Sequence, residues 1–251
     1  MLTESSAGVI LTIMGTSQVD VFDLSITGAL GTAGVGVSMP LGNTATVALN
    51  QVTVSGGGGI GVAADGGTLT ASRSTVAHNS GGGVSLSGAA FALTNNMIVN
   101  NGGNSSALGG VDIESITTTA THQLAFNTIT ANQGPNNVDT GVLCGSVVTV
   151  PIALDSDIIY GNLVGGSAVQ FGGNANCTAT YSDIGPDGTG SGTNINADPG
   201  FVNATQGNYH LAAGSPCIDA ADPAATLTID IDGDTRPQGS GFDIGADEYK
   251  P

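Results

Sequence analysis

Two lines of the sequence, Leu69-Thr-Ala-Ser-Arg-Ser-Thr-Val-Ala-His-Asn79 and Phe91-Ala-Leu-Thr-Asn-Asn-Met-Ile-Val-Asn-Asn101, match position for position, 22 residues apart. Each runs into a glycine-rich bend, the first followed by Gly82-Gly-Val-Ser-Leu86 and the second by Gly109-Gly-Val-Asp-Ile113. The template recurs at 47–57, 122–132 and 152–162, with a looser copy at 19–29. Self-similarity at a period of roughly 20 to 30 residues marks a solenoid. One such repeat cannot bury its own apolar face, so neighbouring repeats must stack to make a core.

Aligning the copies produces apolar columns. One holds Val47, Leu69, Phe91 and Ile152, with His122 the exception; a second holds Leu49, Ala71, Leu93, Leu124 and Leu154. A third holds Val54, Val76, Ile98, Ile129 and Ile159, and a fourth, after the bend, Val35, Ile60, Val84, Val111, Val138 and Val169. In a parallel β-helix such residues stack about 4.8 Å apart, so size-matched aliphatics become ladders in a narrow core. A turn column contains Gly57, Asn79, Asn101, Asn132 and Asn162. Asn and Gly tolerate the left-handed backbone, and stacked amides can bond from coil to coil. The runs 56–59 and 81–83 are bends rather than phosphate loops, because no Lys and no helix follows them. No stretch of useful length has helical periodicity.

The expected fold is therefore all-β: a parallel β-helix over residues 1–197, with a C-terminal closing segment at 198–251. The first coils, 1–46, begin without a capping element, so the natural protein is expected to extend upstream. A solenoid end also exposes strand edges through which copies could self-associate.

Twenty acidic residues against three basic ones give a net charge of −17. Such a surface repels nucleic acid and anionic lipid, both of which need Lys and Arg against phosphate. It suits cations, and it keeps an elongated β protein soluble. No stretch is long enough to insert in a membrane: the apolar run 7–14 is too short, and it lacks a basic flank. Three cysteines have no zinc-site spacing. Cys144 and Cys177, about one coil plus a short insertion apart, could form a disulfide in an oxidising compartment. Cys217 reads as a small buried residue.

The repeats resemble the Asn-Ser-Thr-Val/Ile-x-x-Asn and Gly-Gly-Val/Ile units of bacterial secreted right-handed parallel β-helix proteins. These belong to the pectate-lyase-like superfamily, and the register is also similar to chlamydial polymorphic outer-membrane protein repeats. Asp198-Pro-Gly-Phe-Val, Gly207-Asn-Tyr-His-Leu, Gly214-Ser-Pro-Cys-Ile-Asp219, Asp230-Ile-Asp-Gly-Asp-Thr-Arg-Pro-Gln238 and Phe242-Asp-Ile-Gly-Ala-Asp-Glu-Tyr249 resemble, in order, the choice-of-anchor Q domain. Cys217 departs from it, since the family usually has a small residue there. The resemblance implies right-handed coils, export, and an extracellular or cell-surface location ahead of a sorting signal; the sequence shows neither signal nor anchor.

Candidates for chemistry are few. A lyase acting on uronates needs a base, usually Arg or Lys; Arg73, between Ser72 and Ser74, is the one arginine in the body. A glycosidase needs two carboxylates about 5–10 Å apart on one face. Asp155 and Asp157, two apart, are expected to share a face, and Asp183 to stack one coil on from Asp157. Asp230, Asp232 and Asp234 alternate like the start of a Ca2+ loop, though without the glycine and glutamate of an EF-hand; Asp243, Asp247 and Glu248 are possible further ligands. The alternative is a turn whose acids cap main-chain amides and pair with Arg236. His78, His122 and His210 are scattered, without metal or nucleophile spacing.

These features favour a non-catalytic extracellular module, a stalk, adhesin-like or matrix element whose partner is a polysaccharide or cell-surface component. The competing readings are a polysaccharide lyase or glycoside hydrolase over Asp155, Asp157 and Asp183, and a self-assembling fibre subunit.

Overall fold

The computed structural model describes residues 1–3, 8–29, 31, 34–103, 106, 108–134, 141–164, 167–186 and 192–251. Each turn of the chain visits three parallel sheets in order, as in Gly82–Leu86, Ala90–Thr94 and Met97–Val99. The first sheet has seven strands, from Leu11–Thr12 to Phe171–Gly173, and the second seven, from Gln18–Phe22 to Cys177–Thr180. The third has eight, from Leu2–Thr3 to Asp183–Gly185. This is the expected parallel β-solenoid. Its strands alternate between a buried and a solvent-facing row, as in Thr46–Asn50, because successive side chains point to opposite faces.

Three apolar columns stack in the expected register. Leu69 lies between Val47 and Phe91, and Leu93 between Ala71 and Leu124. Val54, Val76, Ile98, Ile129 and Ile159 follow one another through the third sheet. The fourth column differs. Its rungs are Val37, Val62, Val84, Val111, Val142 and Phe171, so Val35, Ile60 and Val169 sit two residues early. Val138 lies outside the described residues. A slip of two keeps every side chain on its own face, so alternation cannot reveal it when the glycine bend varies in length. The second glycine of each Gly-Gly-Val unit has a steric role: a Cβ on Gly110 would lie 2.5 Å from the Gly141 carbonyl and 3.0 Å from the Asn132 amide.

Two strands of the third sheet, Met97-Ile98-Val99 and Ile158-Ile159-Tyr160, have apolar residues on both faces. Such a strand needs cover on its outer side, and the segment from 198 onward supplies it. Tyr209 and Ala246 pack on Ala77, Met97 and Val99, while Leu211, Cys217 and Ile244 pack on Ala125, Phe126 and Ile158. The segment has one antiparallel pair, Phe201–Asn203 with Asn208–Leu211, and one short 3-10 turn, Ala204–Gln206. Among the described residues no helix is long and apolar enough to cross a membrane.

Candidate functional site

Two side-chain ladders run inside the solenoid, one at each tight turn beside the third sheet. In the first, the Asn79 amide donates to Asn101 Oδ1, Asn101 to Asn132 and Asn132 to Asn162, at 2.9–3.0 Å. The left-handed residue is the one before each ladder residue: His78, Asn100 and Ala131 have φ near 56°. The asparagines themselves are thus held by their amides and not chosen for their backbone.

The second ladder was hidden in the same template. Ser74, Asn96, Asn127, Asp157 and Ser182 occupy one position per coil, each following a left-handed residue such as Arg73 or Ser156. Its chemistry varies from rung to rung, so composition did not announce it, whereas the shared spacing of Ser74, Asn96, Asn127 and Asp157 could have. Asp157 is fully buried; its Oδ1 accepts the Asn127 backbone N–H at 2.7 Å and the side-chain amide at 2.9 Å. Its Oδ2 has no hydrogen-bond partner among the described residues. Burial pushes its carboxyl up to about 7 against the pull of those bonds.

This overturns the expected acidic constellation. Ser156, with φ 58°, ends the strand between Asp155 and Asp157 and turns Asp157 inward, so the two share no face. The alternation rule holds only within an unbroken strand. Asp183 stacks on Ile158 and not on Asp157, whose rung is Ser182. It is buried, accepts the Ala197 N–H at 3.1 Å, and lies 3.4 Å from the free thiol of Cys217. Burial pushes its carboxyl up to about 6. Asp155 alone faces outward, 3.2 Å from Thr180 Oγ1. Burial first, and then Asp222, raise its pKa, and the two aspartates line a cleft of about 280 Å³.

Cys144 and Cys177 are joined in a disulfide, with Cα atoms 6.3 Å apart. Asp230, Asp232 and Asp234 have separate partners. Asp230 is buried and accepts N–H bonds from Asp232, Asp234 and Glu248 at 2.8–3.1 Å. Asp232 pairs with His210 at 2.9 Å and Asp234 with Lys250 at 2.6 Å. The three do not enclose a common point, because the turn uses the first as an internal cap, and most of its lone pairs are taken. Asp243 likewise caps Asp219 and Tyr249, and Asp247 caps Leu211. Arg236 pairs with Glu248, at 3.0 Å, and with none of those three aspartates. Both side chains are fully buried, and the guanidinium also donates to the Asp243 and Gly245 carbonyls and stacks on Phe126.

A second cleft, of about 240 Å³, opens along the seam where the closing segment meets the early coils of the third sheet. Gln51, Thr53, Arg73 and Thr75 from the solenoid face His210 and Asp232 from the closing segment, with Val52, Met97 and Ile231 completing the wall. Arg73 sits in the turn, at φ 48°, and lines the seam. Nη2 donates to Asn50 Oδ1 at 3.2 Å, and a Cβ on Gly233 would lie 3.3 Å from Nη1.

No family model matches the sequence, and no curated protein matches it. A solved structure described as the crystal structure of pectate lyase Pel9A is similar in fold, with a TM-score of 0.55 and 14% identity. The likeness covers 92% of this chain and 70% of that one. At that identity it establishes the pectate-lyase-like β-helix fold.

Proposed function

We propose that this chain is an extracellular or cell-surface β-helix module that recognises polysaccharide at the seam without turning it over. The seam cleft carries the reading. Its walls offer an amide, two hydroxyls, a guanidinium, an imidazole and a carboxylate, a set suited to sugar hydroxyls and acidic groups. An arginine has donors only, so Arg73 suits a hydroxyl or a carboxylate. Asp157 and Asp183 are internal and hydrogen-bonded, which removes them from a surface reaction. The disulfide supports an oxidising compartment.

The second reading is a polysaccharide lyase or hydrolase, favoured by Asp155 and Asp222 lining one cleft and by the fold of the pectate lyase neighbour. A screen of neutral glycans and uronate polymers, with and without Ca2+, separates the two. Recognition without catalysis gives binding that Arg73→Ala weakens at least tenfold, with no unsaturated product in the ultraviolet. Product formation abolished by Asp155→Asn would establish the enzyme instead.

A further inference from the structure

We propose that His210, Asp232 and Asp247 form a binding site for a transition-metal dication of the zinc class. The three come from separate parts of the closing segment: strand Asn208–Leu211, the 230–234 turn and the terminal 243–249 stretch. Each offers one ligand atom, and all three atoms lie within 4.8 Å of one another.

The hydrogen bonding at His210 points to a cation. Asn208 Oδ1 accepts the backbone N–H of His210 at 3.2 Å, and a backbone N–H can only donate, so the atom facing it must be the amide oxygen. The same oxygen is 2.7 Å from Nδ1 of the ring. Nδ1 therefore carries a hydrogen, and the free lone pair of the neutral ring is on Nε2. Nε2 in turn lies 2.9 Å from Asp232 Oδ2, an acceptor. Two lone pairs face each other across that gap, and only a proton or a metal ion can fill it. Asp247 stands beside it, buried, with Oδ2 held by the Leu211 N–H at 2.7 Å.

The donor set selects the ion. Ca2+ prefers six to eight oxygen ligands, whereas an imidazole nitrogen with carboxylates suits Zn2+ and its neighbours. Ligands on a tetrahedral ion with bonds of about 2.1 Å stand roughly 3.4 Å apart. The His210–Asp232 pair is already inside that distance, and the exposed Asp232 side chain is free to adjust. Asn208 acts as the outer partner that orients a ligating imidazole. His210 and Asp232 also line the seam cleft, so a vacant coordination position would open into it.

The test uses the intact chain, stripped with chelator and titrated with Zn2+ by calorimetry and with Co2+ by visible absorption, in the absence of any glycan. The expected result is one saturable site that raises the melting temperature. His210→Ala and Asp232→Asn should each weaken it at least tenfold, while His78→Ala leaves it unchanged. Failure to saturate, binding indifferent to His210→Ala, or equally tight Ca2+ binding would overturn the proposal; the first result would leave a proton-bridged ion pair. Because the readout is the ion itself, the outcome is separate from that of the polysaccharide reading.

Discussion

In the solenoid, a backbone amide finds its acceptor at the same place in the next coil, as Thr75, Val76 and Ala77 do against Met97, Ile98 and Val99. In the closing segment the amides of Leu211, Asp219, Asp232, Asp234, Glu248 and Tyr249 each go to a carboxylate instead. The first arrangement spreads stability over many equivalent contacts. The second concentrates it in a few buried charges, with Arg236 among them. The solenoid should therefore tolerate the loss of a rung, and the closing segment should not tolerate the loss of its clamp.

The largest expected effect is at Arg236. Arg236→Ala strands the buried Glu248 carboxylate and should cost about 3–5 kcal/mol, read from urea unfolding, with the closing segment losing its hydrogen-exchange protection first. An effect no larger than that of a ladder substitution would break the comparison. Next is the disulfide: Cys144→Ser with Cys177→Ser should cost about 2–4 kcal/mol, measured in the same assay under matched oxidising conditions. Asn132→Ala, which leaves the Asn101 amide groups without their acceptor, should cost about 1–3 kcal/mol and spread little beyond adjacent coils.

The smallest effect is a dependence on pH. Asp157 is pushed to about 7, and Asp112 and Asp183 to about 6, all by burial first. Between pH 4 and 7 the folded chain holds protons that the unfolded chain releases, so these groups favour folding at the acid end of that window. Their contribution is lost as pH rises through the folded values. The melting temperature should fall by a few degrees from pH 5 to pH 8. Asp157→Asn, matching the Asn96 and Asn127 rungs, should flatten that fall; an unchanged slope would locate the proton elsewhere.

The same contrast explains what could be read from the sequence. Repetition exposed the solenoid, three of its apolar columns and the asparagine ladder, because each coil repeats the same demand on residue type. It placed Val84 and Val111 correctly but left Val35, Ile60 and Val169 of the fourth column two residues out, since glycine bends conceal register while preserving faces. It misplaced Asp157 because one left-handed residue, Ser156, reverses the alternation that would pair it with Asp155. The closing segment has no second copy to align. Its acidic turn looked like cation chemistry at Asp230, where the carboxylate is an internal cap, and His210 and Asp247 meet Asp232 only through tertiary folding.

The most direct measurement is hydrogen exchange on the intact chain, with and without the best-binding polysaccharide from the screen. Recognition at the seam predicts added protection at 50–55, 73–77, 208–212 and 229–234, and no change along the outer strands 46–49 and 90–93. Protection confined to those outer strands, or around Asp155 and Asp222, would contradict it.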